Sequence, residues 1–72
     1  MSRKDTNAEI VAFSEVFSTQ ELERPVYFID VGTEVDVLYA SSEKSLFYVK
    51  YNFGESEPIY GWVVAQNVSL NR

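Results

Sequence analysis

The amino-acid sequence predicts an all-β protein, a small five-stranded barrel. Apolar and polar residues alternate over residues 33–39 and 46–53, and this period of two is typical of strands with one buried face. Polar or glycine-containing turns separate these segments from each other and from a further apolar segment, residues 59–64. The chain has 72 residues, enough for one small domain with a single core.

The N-terminal third is less regular. Residues 1–8 are polar and carry both signs of charge, which predicts a disordered lead-in, with the domain occupying residues 9–72. The apolar segment at residues 10–13 is the predicted first strand, because the β-branched Ile10 and Val11 are adjacent and Ser14 offers a break. A short helix with residues 10, 13 and 17 on one face is the alternative.

A long acidic loop is predicted after the first strand. Residues 14–24 show no apolar period, and Arg24 before Pro25 disfavours a helix there. Residues 26–29 are a second apolar run. Further along, a three-residue step at 65–67 separates the strand at 59–64 from a last short segment at 68–70.

Alternation also predicts which side chains face the core. Residues 35, 37 and 39 share one face of their strand, opposite Glu34 and Asp36, while residues 47, 49, 51 and 53 lie opposite 46, 48, 50 and 52. The predicted buried valines are Val35, Val37, Val49, Val63 and Val68.

Composition excludes several kinds of chemistry. Cysteine and histidine are absent, so disulfides, thiolate metal sites and the usual general base are ruled out. We expect no enzymatic activity, no cofactor and no metal site. The acid pairs Glu34/Asp36 and Glu55/Glu57 are interpreted as solvated surface, because neither pair has the ligand density of a calcium loop or an apolar pocket around it.

Charge and hydropathy bear on partners and location. A net charge of -5 argues against direct nucleic-acid binding and against an anionic membrane surface. No apolar run approaches the ~20 residues that span a bilayer. The expected location is therefore cytoplasmic for the chain as it stands, and extracytoplasmic if the sequence is a domain of a longer protein.

The order of the segments resembles the Src-homology-3-like family, most closely its bacterial type. The motifs are Asp30-Val31-Gly32-Thr33-Glu34-Val35-Asp36-Val37, then Phe47-Tyr48-Val49-Lys50-Tyr51, then Gly61-Trp62-Val63. The resemblance covers residues 9–70 and implies the five-stranded barrel. It also implies a role in binding, because bacterial members contact peptidoglycan or partner proteins.

The polyproline-binding residues of the eukaryotic members are not found here. The five groove positions would fall on Val64, Asn67, Leu46, Ser14 and Val16, and none carries the family residue. The family's acidic loop does have counterparts, namely Glu15, Glu21 and Glu23. A polyproline ligand is therefore not expected, whereas a protein or wall-peptide partner is.

Aromatic residues are the best candidates for partner contact. The chain has eleven Phe, Tyr and Trp residues, more than a barrel of this size can bury. Tyr48, Tyr60 and Trp62 fall on the solvent face of their strands and would form one patch, since Tyr and Trp are frequent anchors of binding surfaces. The alternative is that they only cover the outside of a thin sheet.

Two functions follow from these observations. The first is a non-catalytic interaction module that presents the aromatic patch and the acidic loop to a partner. The second is a small acidic inhibitor, of the kind mobile elements encode, that imitates nucleic-acid charge and blocks a basic groove. Acids scattered around an aromatic patch favour the module, and acids in a stripe favour mimicry. The sequence leaves the oligomeric state open.

Overall fold

The alternating segments form the middle of an antiparallel sheet in a computed structural model, which describes residues 7–52, 54 and 57–70. Seven strands make up the sheet: β1 Ala8–Ile10, β2 Ser14–Phe17, β3 Pro25–Ile29, β4 Glu34–Ser41, β5 Leu46–Tyr51, β6 Ile59–Val64 and β7 Val68–Leu70. One turn of 3-10 helix, Ala65–Asn67, joins β6 to β7. The described part of the chain is therefore all-β, as predicted.

The architecture differs from the predicted five-stranded barrel. The strand order is β3-β2-β6-β5-β4-β1-β7, and within the described residues no ladder joins the end strands β3 and β7. In the part of the chain that the structure describes, the sheet is open and has seven strands. Alternation finds long strands but cannot detect strands of three or four residues, nor can it show whether the first and last strands meet.

The N-terminal region accounts for one of the two additional strands. The predicted first strand is wrong in its bounds: β1 ends at Ile10, residues 11–13 are an exposed connection, and β2 begins at Ser14. β1 also starts one residue before the predicted domain boundary, because Ala8 is fully buried. Distant segments set these limits, since Ile10 N–H donates to the Thr33 carbonyl and Val11 N–H to that of Asn67. Residues 1–6 lie outside the described residues.

The predicted acidic loop is shorter than expected. Its first four residues are β2, which pairs with β3 through Val16 and Tyr27, so only residues 18–24 remain as a connection. A strand of four residues is too short to leave a periodic signal in the sequence. Phe17 lies opposite Pro25 and closes this connection at its base.

The main core lies between the inner faces of the strands. It consists of Ala8, Ile10, Val16, Ile29, Val35, Val49, Val63 and Val68. Four of the five predicted valines are therefore confirmed as buried. Val37 is only partly buried and packs against this cluster, as do Phe47 and Tyr51. The prediction for Phe53 falls outside the described residues.

Gly61 allows β2 to approach β6 closely. A Cβ atom at this position would lie 2.3 Å from Val16 Cγ1 and 2.9 Å from the carbonyl oxygen of Phe17. Glycine inside a strand often marks such a close approach of another backbone. Its missing side chain is what lets Phe17 pair with the neighbouring Trp62.

A β-bulge in β4 reverses the predicted alternation. Val37 lies opposite Val49, but Tyr39 lies opposite Tyr48, so Leu38 is an extra residue on β4. An extra residue shifts all following side chains to the other face. The predicted position of Tyr39 on the core face is therefore wrong: its side chain is 61% exposed.

Candidate functional site

The outer face of the sheet carries a row of aromatic residues from four adjacent strands. Tyr39 on β4, Tyr48 on β5 and Trp62 on β6 lie directly opposite one another. Phe17 on β2 continues the row, since it pairs with Trp62. Directly opposite residues in a sheet project from the same face, so the four side chains line up across the strands.

The rings contact one another. The Tyr48 and Trp62 ring centroids are 5.0 Å apart with planes inclined by 51°, and Tyr39 meets Trp62 edge-on at 6.0 Å. Tyr60, two residues before Trp62, stacks on Tyr48 at 6.2 Å. Tyr39, Tyr48, Tyr60 and Trp62 are called the aromatic patch below.

The patch combines exposure with a firm base. Tyr60 is 46% exposed, and Tyr48 and Trp62 are half-buried. Phe17 and Leu46 are buried, yet neither belongs to the main core cluster. Both lie on the outer face by register, since Leu46 shares its face with Tyr48 on β5. Phe17 and Leu46 thus form a small second group of buried apolar side chains on the outer face, on the same strands as the patch or beside them.

Sequence reasoning found three of the four patch residues. Tyr48, Tyr60 and Trp62 are brought together as predicted, and none of them is buried. Tyr39 was missed, because the bulge that turns it outward depends on pairing with β5. The segment from Val35 to Tyr39 contains no glycine or proline that would have signalled an irregularity.

Charged groups adjoin the patch on one side. Asp36, Lys50 and Tyr60 form the next cross-strand row on the outer face. Asp36 and Lys50 have opposite charges on neighbouring strands, a pairing that stabilises sheets. Lys50 thus separates Tyr60 from the acidic end of this row.

The three predicted acidic site residues lie near the Phe17 end of the aromatic row. Glu15 is on β2, two residues before Phe17, and is exposed. Glu21 and Glu23 are exposed in the connection between β2 and β3. Phe17 and Pro25 pair at the base of that connection. Glu23 is two residues before Pro25, so its Cα atom lies within about 7 Å of the Pro25 Cα atom.

Two further features lie outside the patch. Phe13 and Phe28 stack at 5.8 Å, and both are more than half exposed. Glu9 on β1 lies directly opposite Glu34 on β4, a pairing of like charges. Asp36 follows two residues later on the same face of β4, so three acids share one part of the outer surface.

Metal and membrane features were also sought. Among the described residues, no group of three or more His, Cys, Asp or Glu is arranged to hold a metal ion. Within the same residues, no helix has the length and apolar character required to cross a membrane. The prediction for the Glu55/Glu57 pair lies partly outside the described residues, because Glu55 is not among them.

Comparison with known proteins adds no relative. No protein-family model matches the chain. No curated protein and no solved structure matches it either. Function is therefore inferred from the geometry of the aromatic patch and of the charges around it.

Proposed function

We propose that the protein is a non-catalytic binding module that uses the aromatic patch to contact a protein or wall-peptide partner. The observation that carries this proposal is the contact between four Tyr and Trp rings that nevertheless remain open to solvent. In an isolated domain, rings of this kind would normally be covered. Clustered Tyr and Trp side chains are the commonest energetic centres of protein interfaces.

The patch is suited to binding because its side chains are already ordered. Tyr48 contacts both Tyr60 and Trp62, so few rotamers remain to be lost when a partner binds. Immobilising a flexible side chain at an interface costs about 0.5–1.5 kcal/mol, and a preformed cluster avoids most of that cost. Tyr and Trp also keep a polar group that can bond at the rim.

The shape of the patch favours a macromolecular partner over a small cofactor. Its centroid separations of 5.0–6.2 Å are contact distances, so no slot opens between neighbouring rings. Small-molecule sites are usually concave and enclose most of the ligand. A surface of rings in mutual contact instead suits apolar side chains presented by a protein or peptide.

The acids near Phe17 contribute mainly to association in this proposal. Glu15, Glu21 and Glu23 are exposed, and exposed charges accelerate encounter more than they strengthen the bound state. A basic surface on the partner would be attracted to this end of the aromatic row. The net charge of -5 acts in the same direction.

We further propose kinship with the bacterial type of Src-homology-3-like domains. The proposal is supported by the order of the three motifs, which fall on β4, β5 and β6, three consecutive strands that are neighbours in the sheet. A polyproline ligand is not proposed, because the five groove residues are absent from the sequence.

The second candidate function is an acidic inhibitor that imitates nucleic-acid charge. The like-charge pairing of Glu9 with Glu34, next to Asp36, is the observation that favours it. Negative charges grouped on one surface are what imitation of a phosphate backbone requires. The other acids of the described residues lie on β2 or in the connections between strands, which favours the module.

Pull-down from the source cell, followed by binding measurements with the purified partner, tests both candidates. For the module, Tyr48→Ser should abolish capture while barely shifting the melting temperature, because Tyr48 lies on the outer face and does not belong to the main core cluster. Phe28→Ser is the control: it removes a more exposed aromatic ring, 51% exposed, outside the patch and should leave capture intact.

Charge variants separate the two candidates. For the module, replacing Glu21 and Glu23 with Gln should slow association, and the effect should shrink in high salt. For mimicry the ranking reverses: the double variant Glu9→Gln/Glu34→Gln would abolish binding and Tyr48→Ser would leave it unchanged. That second result would refute the proposed module.

A further inference from the structure

The side chain of Asn7 bonds to both backbone polar groups of Val37. Asn7 Oδ1 accepts from Val37 N–H at 2.7 Å, and Asn7 Nδ2 donates to the Val37 carbonyl at 3.2 Å. The Asn7 N–H also donates to Asp36 Oδ1 at 3.1 Å. The side-chain amide of Asn7 therefore makes the two backbone hydrogen bonds to Val37 that a neighbouring strand would make, next to the end of the β1–β4 ladder.

Val37 is the last regular residue of β4 before the bulge. Within the described residues, β4 pairs with β1 through Glu34 and Val35, and with β5 from Asp36 onward. The extra residue, Leu38, is inserted directly after Val37, whose backbone N–H and carbonyl are bonded to Asn7. Tyr39 follows on the outer face, where its ring meets Trp62.

We propose that Asn7 is a positioning residue for the aromatic patch, because its amide holds Val37 at the junction where the bulge turns Tyr39 towards Trp62. The inference rests on the proposed binding function only in so far as that function gives the aromatic patch a role. The positioning itself is a property of the free protein.

The alternative to the bulge is a strand in regular alternation. Val35, Val37 and Tyr39 would then share the inner face, as the sequence pattern itself favours. The two bonds from Asn7 occupy the Val37 N–H and carbonyl and fix where the regular pairing stops. Without them, the regular arrangement should gain about tenfold in population relative to the bulged one.

NMR of the free protein tests the proposal through the contacts between aromatic rings. In Asn7→Ala, cross-peaks between the Tyr39 and Trp62 rings should weaken relative to those between Tyr48 and Trp62, which provide an internal reference. The amide proton of Val37 should also exchange faster with solvent. Unchanged Tyr39–Trp62 cross-peaks in folded Asn7→Ala would overturn the proposal.

Two more variants separate positioning from simple stability. Val68→Ala removes a core side chain that is paired with β1 through Ile10, so it weakens the same strand without touching the Asn7 amide. Its Tyr39–Trp62 cross-peaks should persist, and their equal loss would contradict a specific role for Asn7. Asn7→Asp keeps an acceptor for Val37 N–H but cannot donate to the carbonyl.

Asn7→Asp should therefore fall between the wild type and Asn7→Ala, and it is the variant to use if Asn7→Ala fails to fold. A wild-type pattern in Asn7→Asp would likewise overturn the proposal. This outcome is independent of partner capture. If Tyr48→Ser leaves capture unchanged, the proposed binding function is wrong. The positioning role of Asn7 is then still tested by the ring contacts alone.

Discussion

Replacing Gly61 with alanine should destabilise the protein, against the expectation from backbone entropy. Gly→Ala at a site that tolerates a side chain stabilises a protein by ~0.4–1 kcal/mol, because the unfolded chain loses freedom. At Gly61 the added methyl group would lie 2.3 Å from Val16 Cγ1 and 2.9 Å from the Phe17 carbonyl oxygen. Val16 Cγ1 belongs to a side chain, whereas the Phe17 carbonyl belongs to the backbone. Relieving both overlaps therefore requires β2 to move away from β6.

The magnitude follows from the cost of overpacking. Extra methyl groups forced into a packed interior cost about 1–3 kcal/mol, and subtracting the entropic gain leaves a net loss of about 1–2 kcal/mol. A domain of this size has a total stability of roughly 4–11 kcal/mol, so the loss is a large fraction of it. The melting temperature should fall by roughly 4–16 °C.

Urea titration followed by far-UV circular dichroism and by fluorescence of Trp62, the single tryptophan, measures this loss. A double-mutant cycle with Val16→Ala gives the control. That variant removes Cγ1 but leaves the Phe17 carbonyl in place, so the cost of Gly61→Ala should decrease without vanishing, with a coupling of about 0.5 kcal/mol or more. A stabilising effect of Gly61→Ala would refute the close approach of β2 to β6.

Two further predictions concern the core and the absence of metal chemistry. Val49→Ala should lower the free energy of unfolding by about 2 kcal/mol, because Val49 is 1% exposed and belongs to the core cluster. A change below about 0.5 kcal/mol in denaturant titration would mean that the strand faces are assigned wrongly. Calorimetric titration with zinc, calcium and magnesium should show only weak, salt-sensitive binding, because the chain has no His or Cys. A stoichiometric site of micromolar affinity would contradict this prediction.

Only part of the candidate site could be predicted from the sequence. Tyr48, Tyr60 and Trp62 could be assigned to the outer face because Val49 and Val63, their neighbours in sequence, are inward-facing by alternation. Tyr39 could not, since its orientation depends on one unpaired residue, Leu38, in the ladder with β5. Asn7 was assigned to a disordered lead-in, because nothing in a polar residue before a strand indicates a bond to a backbone thirty residues away.

The sequence by itself determined the all-β class, the three central strands and four buried valines, because side-chain alternation is a local property of each strand. Tertiary structure alone decided the number of strands, the open ends of the sheet, the bulge after Val37 and the need for glycine at position 61. These features depend on pairing between distant segments. A short strand such as β1 is stable only through its partners, so its bounds are set by Val35 and Val68 on the neighbouring strands rather than by its own three residues.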